Sequence, residues 1–471
     1  MADAKIDSQE RDTCPADRKP PESFKQQLQQ FSHGVSATGL RYVFDDDVSI
    51  YRRIIWGVLV ACGLLYSFYQ IGKSIHVYAS RPVAVSIDLS YRDELEFPVV
   101  TFCNENVIKK SAMPQQGFED YVRVIRMLVG GVSSPLDRNM TEIDALLDGL
   151  DVQLLQEVLE TGMYHQDEIM RQCWWRGQPC EQKYVTSVYT DMGLCFSFNA
   201  NGSSPLIARD TSGHQSGLRL LLDAQQHEYV ASREGTVGFR VMLHSPYETP
   251  VLQARGFKVG PGMHILTSVS KSVTHRLGSP YSQCRQVAGD ASEHYSYYAC
   301  LQECENAFVE GVCGCHNLQG RNVARVCTEK TELQCLMRLM QVSSAFDRRH
   351  CKCPTQCRDI DYTPSTSFSP FANYLSAMMI NATADYVTNN LLLLDIYFTE
   401  LEENVITSVP AYTFVALMAD IGGSLSLFLG SGLFTIFEVV DFAIVAANKK
   451  RVARNGECTD PEQTAMKSTK R

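Results

Sequence analysis

Three carboxylates lie inside one long apolar segment near the C-terminal end of the sequence. Residues 411–448 are almost entirely apolar, yet they include Asp420, Glu438 and Asp441. About 20 apolar residues are enough to cross a bilayer as a helix, and carboxylates inside such a helix usually face a water-filled path. Rings of carboxylates contributed by several copies of a chain attract cations. The chemistry that this pattern favours is therefore cation conduction.

The polar residues of this segment follow the helical repeat. Glu438 lies 18 residues after Asp420, which is five full turns, and Ser424, Ser431 and Thr435 lie within about 60° of the same line. An ordinary single-span anchor is the alternative, but an anchor does not need three carboxylates. We therefore predict a pore-lining helix, and a break at its glycines would spoil the shared phase beyond them.

Composition limits the number of membrane spans. The chain has 471 residues, of which 45% are hydrophobic, and its mean hydropathy is -0.14. These values exclude a transporter with many spans and fit a largely hydrophilic protein with two. The net charge of -10 and the lack of a basic stripe argue against a nucleic-acid partner.

The first predicted span is the uncharged run 54–71, which follows Arg52 and Arg53, whereas the second is followed by the basic run 449–451. Basic residues at these two ends place both termini in the cytoplasm. The predicted divisions are a cytosolic N-terminus at 1–52, a first transmembrane helix at 53–79, an extracellular domain at 80–409, a pore-lining second transmembrane helix at 410–448 and a cytosolic C-terminus at 449–471.

Cysteines and glycosylation motifs agree with this topology. Of 17 cysteines, 14 lie between residues 80 and 410, as do the three Asn-X-Ser/Thr motifs at Asn139, Asn201 and Asn381. A dense, even set of cysteines indicates disulfides in an oxidising compartment, and the chain lacks the paired CxxC spacing of a zinc site. We predict a glycosylated, disulfide-bonded extracellular domain without a bound metal.

The extracellular stretch is predicted to mix strands and helices. Period-two or β-branched patterns predict strands at 82–88, 97–102, 218–222, 237–243, 264–269 and 391–398. Helical spacing predicts helices at 118–128, 142–159, 295–304 and 336–342. The fold class that follows is an α+β membrane protein with two transmembrane helices and a large mixed α/β ectodomain.

Two cysteine pairs have a spacing that favours a ladder. Cys300 and Cys304 are one helical turn apart, and Cys351 and Cys353 share a face if their segment is extended. The two pairs can therefore meet as Cys300–Cys353 and Cys304–Cys351, although spacing alone leaves the connectivity open.

Several motifs occur in order between residues 31 and 441. They are His33-Gly34, the FPVVTFCN run at 97–104, Tyr295-Ser296 with CxxxC at Cys300 and Cys304, CGC at Cys313, CxCPxxC at 351–357, the run 391–398, and the DIGG and GSG sequences at 420–423 and 430–432. Together these motifs resemble the degenerin/epithelial sodium channel superfamily, nearest to its acid-sensing and peptide-gated branches.

The resemblance implies a trimer with a hand-like ectodomain, sodium-selective conduction and block by amiloride. It also implies seven disulfides: Cys103–Cys195, Cys173–Cys180, Cys284–Cys357, Cys300–Cys353, Cys304–Cys351, Cys313–Cys335 and Cys315–Cys327.

Residue roles are also implied by the resemblance. Gly430, Ser431 and Gly432 occupy the selectivity filter, where the second span breaks, although Gly432 stands where the family has serine. His33 and Gly34 form a re-entrant loop that supports this break.

Two further positions are assigned to gating. Ala419 is the small residue before Asp420, where bulk is expected to hold the pore open, and Tyr281 stands where a tryptophan is usual at the joint near the membrane.

The gating stimulus is expected to be a small extracellular peptide or a proton, and the alternative is a constitutively open channel that protons inhibit. Stretches 226–229 and 335–351 stand where acid-sensing relatives cluster carboxylates, but here they contain only Glu228 and Asp347. We expect related subunits and membrane lipid as partners, in a homotrimer or heterotrimer at the plasma membrane. Sodium is the expected permeant ion and calcium a candidate blocker, with no cofactor.

Three other classes fit less well. A two-span glycosylated scavenger or lipid receptor shares the topology but does not need carboxylates in its second span. A trimeric nucleotide-gated channel needs a basic cluster for phosphates. An ectoenzyme is disfavoured because neither a GxSxG nor an HExxH motif occurs in the sequence.

Overall fold

The computed structural model describes residues 29, 31–32, 34–35, 39–45, 48–129, 140–209, 213–230, 232, 234–286, 295–316, 326–341, 350–371, 378, 381–430 and 432–455. The chain forms two compact units. The first contains Met1–Val83 and Pro410–Arg471, and the second is Ala84–Val409. We call them the helical unit and the large unit.

The helices are α1 Leu40–Phe44, α2 Ile50–Ser80, α3 Phe118–Leu128, α4 Met140–Asp148, α5 Val152–Thr161, α6 Gln166–Ile169, α7 Leu252–Arg255, α8 Tyr297–Cys313, α9 Lys330–Gln341, α10 Ala384–Asn390, α11 Phe414–Leu429 and α12 Leu433–Asn455. The strands are β1 Val83–Tyr91, β2 Glu94–Glu96, β3 Val99–Asn104, β4 Met170–Trp175, β5 Gln178–Pro179, β6 Val185–Thr190, β7 Gly193–Phe198, β8 Ile207–Arg209, β9 Leu218–Asp223, β10 Phe239–His244, β11 Phe257–Val259, β12 Met263–His275, β13 Arg358–Pro370 and β14 Leu391–Pro410.

In the helical unit, α2 packs antiparallel to α11. The rings of Tyr66 and Phe428 lie 4.6 Å apart, and those of Tyr78 and Phe414 lie 6.4 Å apart. Helix α2 has 31 residues and, among the described helices, is the only one long and apolar enough to cross a membrane. The short helix α1 folds back on it, because Tyr42 stacks on Trp56 at 5.0 Å.

The large unit is built on two main sheets. A seven-stranded sheet has the order β13-β12-β14-β9-β4-β5, with β1 also paired to β14, and a five-stranded sheet has the order β11-β10-β3-β7-β6. Alternate residues of β9 and β14, such as Leu220 and Leu394, pack into one core with Phe102, Phe198 and Phe239 of the second sheet. The period-two pattern thus buries one face of each strand between the sheets.

A second core lies among helices. Apolar faces of α3, α5 and α9 contribute Ile125, Leu155 and Leu336, and the cysteines Cys315 and Cys327 are buried with them. The expectation of one helix over 142–159 is wrong, because α4 ends at Asp148 and α5 starts at Val152. The Asp151 carboxylate accepts a hydrogen bond from the Gln153 amide at 2.9 Å and so caps the new helix.

All seven disulfides implied by the resemblance are present: Cys103–Cys195, Cys173–Cys180, Cys284–Cys357, Cys300–Cys353, Cys304–Cys351, Cys313–Cys335 and Cys315–Cys327. The two ladder pairs suggested by spacing are among them. They attach α8 to the segment that leads into β13.

Candidate functional site

The apolar segment that carries the three carboxylates is broken at its glycine cluster. Helix α11 ends at Leu429, and Gly430 adopts a φ of 63°, in the left-handed region that favours glycine. Helix α12 starts at Leu433. An α-helix leaves its last carbonyls without intrahelical donors. The break therefore offers main-chain oxygens at the position where the resemblance places a filter.

The second span predicted over 410–448 is interrupted at Gly430, where the resemblance implied a break. Asp420 lies on α11, whereas Glu438 and Asp441 lie on α12. The shared phase of Asp420 and Glu438 therefore does not hold across the break. Ser431, the predicted central filter residue, lies outside the described residues. Among the described residues other than its chain neighbours, none has an atom within 4 Å of the position that a Cβ on Gly432 would occupy.

At its N-terminal end, α11 is fastened to α2 through Asp420. The Tyr412 hydroxyl donates to the Asp420 carboxylate, and the Ser74 hydroxyl donates to the same oxygen at 3.5 Å. Thr413 caps the helix by accepting from the Ala416 amide at 3.2 Å. Ala419 is exposed beside Asp420.

Helix α12 contacts the N-terminal segment. The Phe31 ring stacks on that of Phe442 at 4.4 Å, and the Ser32 hydroxyl donates to the Gln29 carbonyl at 2.8 Å. His33 lies outside the described residues, and Gly34 is exposed. On α12, Glu438 is half-buried and Asp441 is exposed.

In the large unit, α8 carries a column of disulfides. Cys300, Cys304 and Cys313 are bonded to three different partners, two before β13 and one on α9. Cys300 and Cys313 are separated by about 20 Å along the helix axis. Such a column makes α8 a stiff element that can move as one body.

The remaining site predictions lie on the surface of the large unit. Asn201 and Asn381 are exposed, as glycosylation requires, and Asn139 lies outside the described residues. Tyr281 is half-buried, and its amide donates to the Gly278 carbonyl at 3.0 Å.

Buried carboxylates in the large unit are mostly paired with arginine. In the described part of this unit the buried acids are Glu105, Asp191, Asp223, Glu248 and Asp395. Four form ion pairs, namely Arg240–Glu105, Arg171–Asp223, Arg255–Glu248 and Arg219–Asp395, and Asp191 accepts from main-chain amides. The buried carboxylates are therefore neutralised by arginine and do not form carboxyl–carboxylate pairs with one another.

Glu248 is the buried acid whose chemistry changes most. Burial raises its pKa to about 7, Arg255 opposes this rise, and the nearby Asp359 and Asp361 add to it. Its side chain lines an open pocket of about 490 Å³ together with His244 and Tyr189. Glu248 is therefore positioned to exchange a proton near neutral pH.

The two stretches that stand where relatives cluster acids differ in what the structure shows. Glu228 accepts from the Ser111 amide at 2.7 Å, and the His227 ring lies 6.5 Å from that of Tyr386. The described parts of the second stretch, 335–341 and 350–351, contain no carboxylate. A meeting of carboxylates between these stretches is therefore not seen in the described residues.

The model of the amiloride-sensitive sodium channel family matches residues 31–442. The chain belongs to this family. Its members are ion channels that assemble as oligomers of related subunits, and they are not enzymes. Membership also supports a location in the plasma membrane.

Three relatives show how far the similarity extends. Acid-sensing ion channel 1C of Danio rerio is 27% identical over an alignment of 441 positions, which covers 88% of this chain and 83% of that protein. Acid-sensing ion channel 1 of Gallus gallus is 26% identical over 97% of this chain and 89% of its own length. Acid-sensing ion channel 2 of Rattus norvegicus is 27% identical over 88% of this chain and 85% of its own length.

Sequence reasoning missed the partners of the family's site residues. Tyr412 and Ser74 were not singled out, although they hold Asp420, and neither was Glu248 or its partner Arg255. Ser74 lies 346 residues before Asp420, so no local pattern connects them.

Proposed function

We propose that this family member is a trimeric, sodium-selective and amiloride-sensitive channel that is gated through its extracellular domain. The observation that carries the proposal is the helix break at Gly430, inside an apolar segment with carboxylates on both sides. Main chain that leaves the helical path at membrane depth is tolerated where it lines a water-filled cavity.

Conduction follows from the order of groups along the segment. Three copies place Asp420, Glu438 and Asp441 in three rings, and a ring of carboxylates concentrates cations before they lose water. Sodium prefers oxygen ligands, which the carbonyls around Gly430 and the Ser431 hydroxyl supply. Glu438 then contributes to the choice between sodium and potassium, and membrane lipid surrounds α2.

The stimulus is proposed to act on the large unit. The buried acids of the large unit are mostly paired with arginine, and a carboxylate paired with a cation binds a proton less readily. This pairing favours a small peptide over a proton as the stimulus. A proton is favoured by Glu248 and by the relatives whose names describe acid sensing. In the alternative, a constitutively open channel, protonation of Glu248 closes the pore instead of opening it.

The orientation is proposed from the charge pattern, with both termini in the cytoplasm and glycans on Asn201 and Asn381. The assembly is a homotrimer or a heterotrimer with related subunits. The scavenger-receptor alternative is set aside because the family consists of ion channels.

Voltage clamp of cells that express this chain alone tests the proposal. The recordings step external pH in both directions, apply a pool of short amidated peptides, and replace external sodium with N-methyl-D-glucamine. We expect an inward current that disappears without sodium and that amiloride blocks. A current that is indifferent to sodium removal contradicts the selectivity assignment. Silence despite surface expression contradicts a functional homotrimer, and coexpression of a related subunit then tests the heterotrimer.

A further inference from the structure

The pocket lined by Glu248 lies at the five-stranded sheet of the large unit. Its volume is about 490 Å³, and its lining comes from β3, β6, β7 and β10 and from the turn at 246–250 that follows β10. We call it the β10 pocket. Sites for small molecules usually measure roughly 300 to 1,000 Å³ and combine apolar walls with a few converging polar groups. The β10 pocket has the size of such a site.

Part of the lining is a buried polar network. Ser197 and His244 line the pocket, and the Thr101 hydroxyl oxygen lies 2.7 Å from the Ser197 hydroxyl and 2.8 Å from His244 Nε2. In the neutral ring, Nδ1 donates to the Ser245 carbonyl at 2.8 Å and Nε2 accepts from Thr101. Thr101 precedes Phe102 of the main core on β3, so the network lies on the opposite face of the sheet.

The remaining walls are mostly apolar. They include Val99, Val188, Ala200, Pro246 and Pro250, and Tyr189 adds an aromatic ring. No lysine or arginine of the described chain lines the pocket, and Glu248 is its single acidic residue among those described. An apolar body fits these walls, and only a positive charge complements the acid.

The groups around Glu248 leave one negative charge without a matching cation. Arg255 pairs with both Glu248 and Asp361, and Arg276 pairs with Asp359 at 3.3 Å. Three carboxylates thus share two guanidinium groups among the described residues. Arg255 and Asp361 line a separate cavity of about 200 Å³, and Arg255 does not line the β10 pocket. A cation in the β10 pocket would therefore reach Glu248 from the side that Arg255 leaves open.

The protonation of Glu248 reflects the same shortage of positive charge. Burial raises its pKa to about 7, Arg255 opposes this rise, and Asp359 and Asp361 add to it. Tyr362 also lies near Glu248, but burial raises the pKa of this phenol, so it stays neutral. A proton or a second cation can supply the missing charge, and each excludes the other.

We propose that the β10 pocket binds a small organic cation with an apolar body, an arylalkyl ammonium, in competition with a proton at Glu248. The ammonium group pairs with the Glu248 carboxylate, and the apolar body packs against Val188 and Pro250. The Tyr189 ring is available for an aromatic or cation–π contact. The site lies entirely within the large unit and does not depend on the proposed function.

Isothermal titration calorimetry of the purified full-length channel tests the site. The probe is phenethylammonium, which stays protonated from pH 6 to pH 8. The control ligands are 2-phenylethanol, which keeps the body without the charge, and methylammonium, which keeps the charge without the body.

Two variants change the site in independent ways. Glu248→Gln removes the charge, whereas Thr186→Trp fills the pocket from an exposed lining position opposite Ser197. Gln182→Trp is the matched control, because it adds the same ring at an exposed position just before β6 and outside the lining.

We expect phenethylammonium to bind one site per chain at pH 8 and about ten-fold more weakly at pH 6, because a carboxyl with a pKa near 7 is mostly protonated at pH 6. Glu248→Gln should weaken binding by roughly ten-fold or more and abolish its pH dependence. Thr186→Trp should abolish binding, and Gln182→Trp should match the wild type.

Three outcomes would overturn the proposal. Equal affinity for 2-phenylethanol removes the need for a cation, and a pH dependence retained in Glu248→Gln removes the competition at this residue. The pore carboxylates also attract cations, so binding that both site variants leave unchanged would assign the probe to the pore. Channel current is not measured in any of these titrations, so the proposed function is tested separately.

Discussion

The Tyr412 hydroxyl donates a hydrogen bond to the Asp420 carboxylate, which also accepts one from Ser74 at 3.5 Å. Tyr412 precedes α11, Asp420 lies on α11 and Ser74 lies on α2. One carboxylate therefore joins three parts of the helical unit. The group that we propose to attract cations therefore also joins α11 to α2.

Replacing Tyr412 with phenylalanine should loosen this fastening. The ring remains, but Asp420 loses a donor, and a hydrogen bond to a charged group at an exposed site is worth about 1 kcal/mol. We expect a roughly five-fold lower stimulus for half-maximal current, measured by voltage clamp, since 1.4 kcal/mol corresponds to tenfold. Ser80→Ala, which removes a hydroxyl bonded only within α2, is the control. An unchanged dose-response curve would argue that the contact has no part in gating.

Gly430→Ala should damage the break between α11 and α12. A residue with a Cβ pays about 1 kcal/mol or more to adopt the left-handed φ of 63° seen at Gly430. This strain would reorient the main-chain carbonyls at the break between the two helices. We expect loss of current, or altered sodium preference, with normal surface biotinylation. Gly57→Ala in α2 is the control, because within the described part of the chain the added Cβ meets no side chain beyond its neighbours in sequence within 4 Å. Wild-type selectivity in Gly430→Ala would count against a filter at this position.

Glu438→Gln removes one ring of charge and keeps the side-chain size. The proposed role predicts a smaller difference between reversal potentials measured in sodium and in potassium, or a several-fold lower unitary conductance. Single-channel recording under the two ions gives both quantities. If neither quantity changes, Glu438 faces away from the ion path.

Ala419→Phe adds bulk beside Asp420 at an exposed position of α11. The resemblance predicts that bulk here prevents closure, so current should flow without stimulus and should be suppressed by amiloride. Val415→Phe, at another exposed position of the same helix, tests whether any added ring has this effect. A silent Ala419→Phe channel at the cell surface refutes the assignment.

Glu248→Gln should remove a pH dependence near neutrality. The pKa of Glu248 is raised by burial to about 7, above its unfolded value of 4.5, so the folded protein holds this proton more tightly. The resulting stability is present below pH 4.5 and is lost as pH rises through 7. Between pH 5 and pH 8 the wild-type channel should lose about 2 to 3 kcal/mol that Glu248→Gln keeps.

Thermal unfolding of the purified full-length channel at pH 5, 6, 7 and 8 measures this difference. Glu181→Gln, an exposed acid paired with Lys183, should follow the wild type. Parallel pH profiles of the wild type and Glu248→Gln would show that Glu248 stays in one protonation state.

Local sequence patterns predicted much of the fold. A strand or helix that buries one face has apolar residues at regular intervals, and these intervals can be recognised in the sequence. The helix at 118–128 matches α3, and the strands at 218–222 and 391–398 lie within β9 and β14. Strand β13 was missed because only Ile360 and Tyr362 of it reach the core, and the rest, from Thr363 to Pro370, is mostly serine, threonine and proline.

Site residues could be predicted where they are unusual within their own segment of the sequence. They could not be predicted where their role depends on a partner that is distant in the sequence. Asp420, Glu438 and Gly430 stand out because charges and glycines are unusual in an apolar segment. The arginine that pairs with Asp395 lies 176 residues earlier in the chain, on β9. Such a pair is set by the register of β9 on β14, which no spacing within either strand reveals.

Five of the seven disulfides are nested in the sequence, so that each one encloses the next. Cys315–Cys327 lies inside Cys313–Cys335, which lies inside Cys304–Cys351, then Cys300–Cys353 and finally Cys284–Cys357. During biosynthesis the innermost pair is complete first as the chain emerges into an oxidising compartment, and each bond shortens the loop that the next must close. No native pair has to wait for a cysteine beyond Cys357, so this region can be fully oxidised before α11 and α12 leave the ribosome.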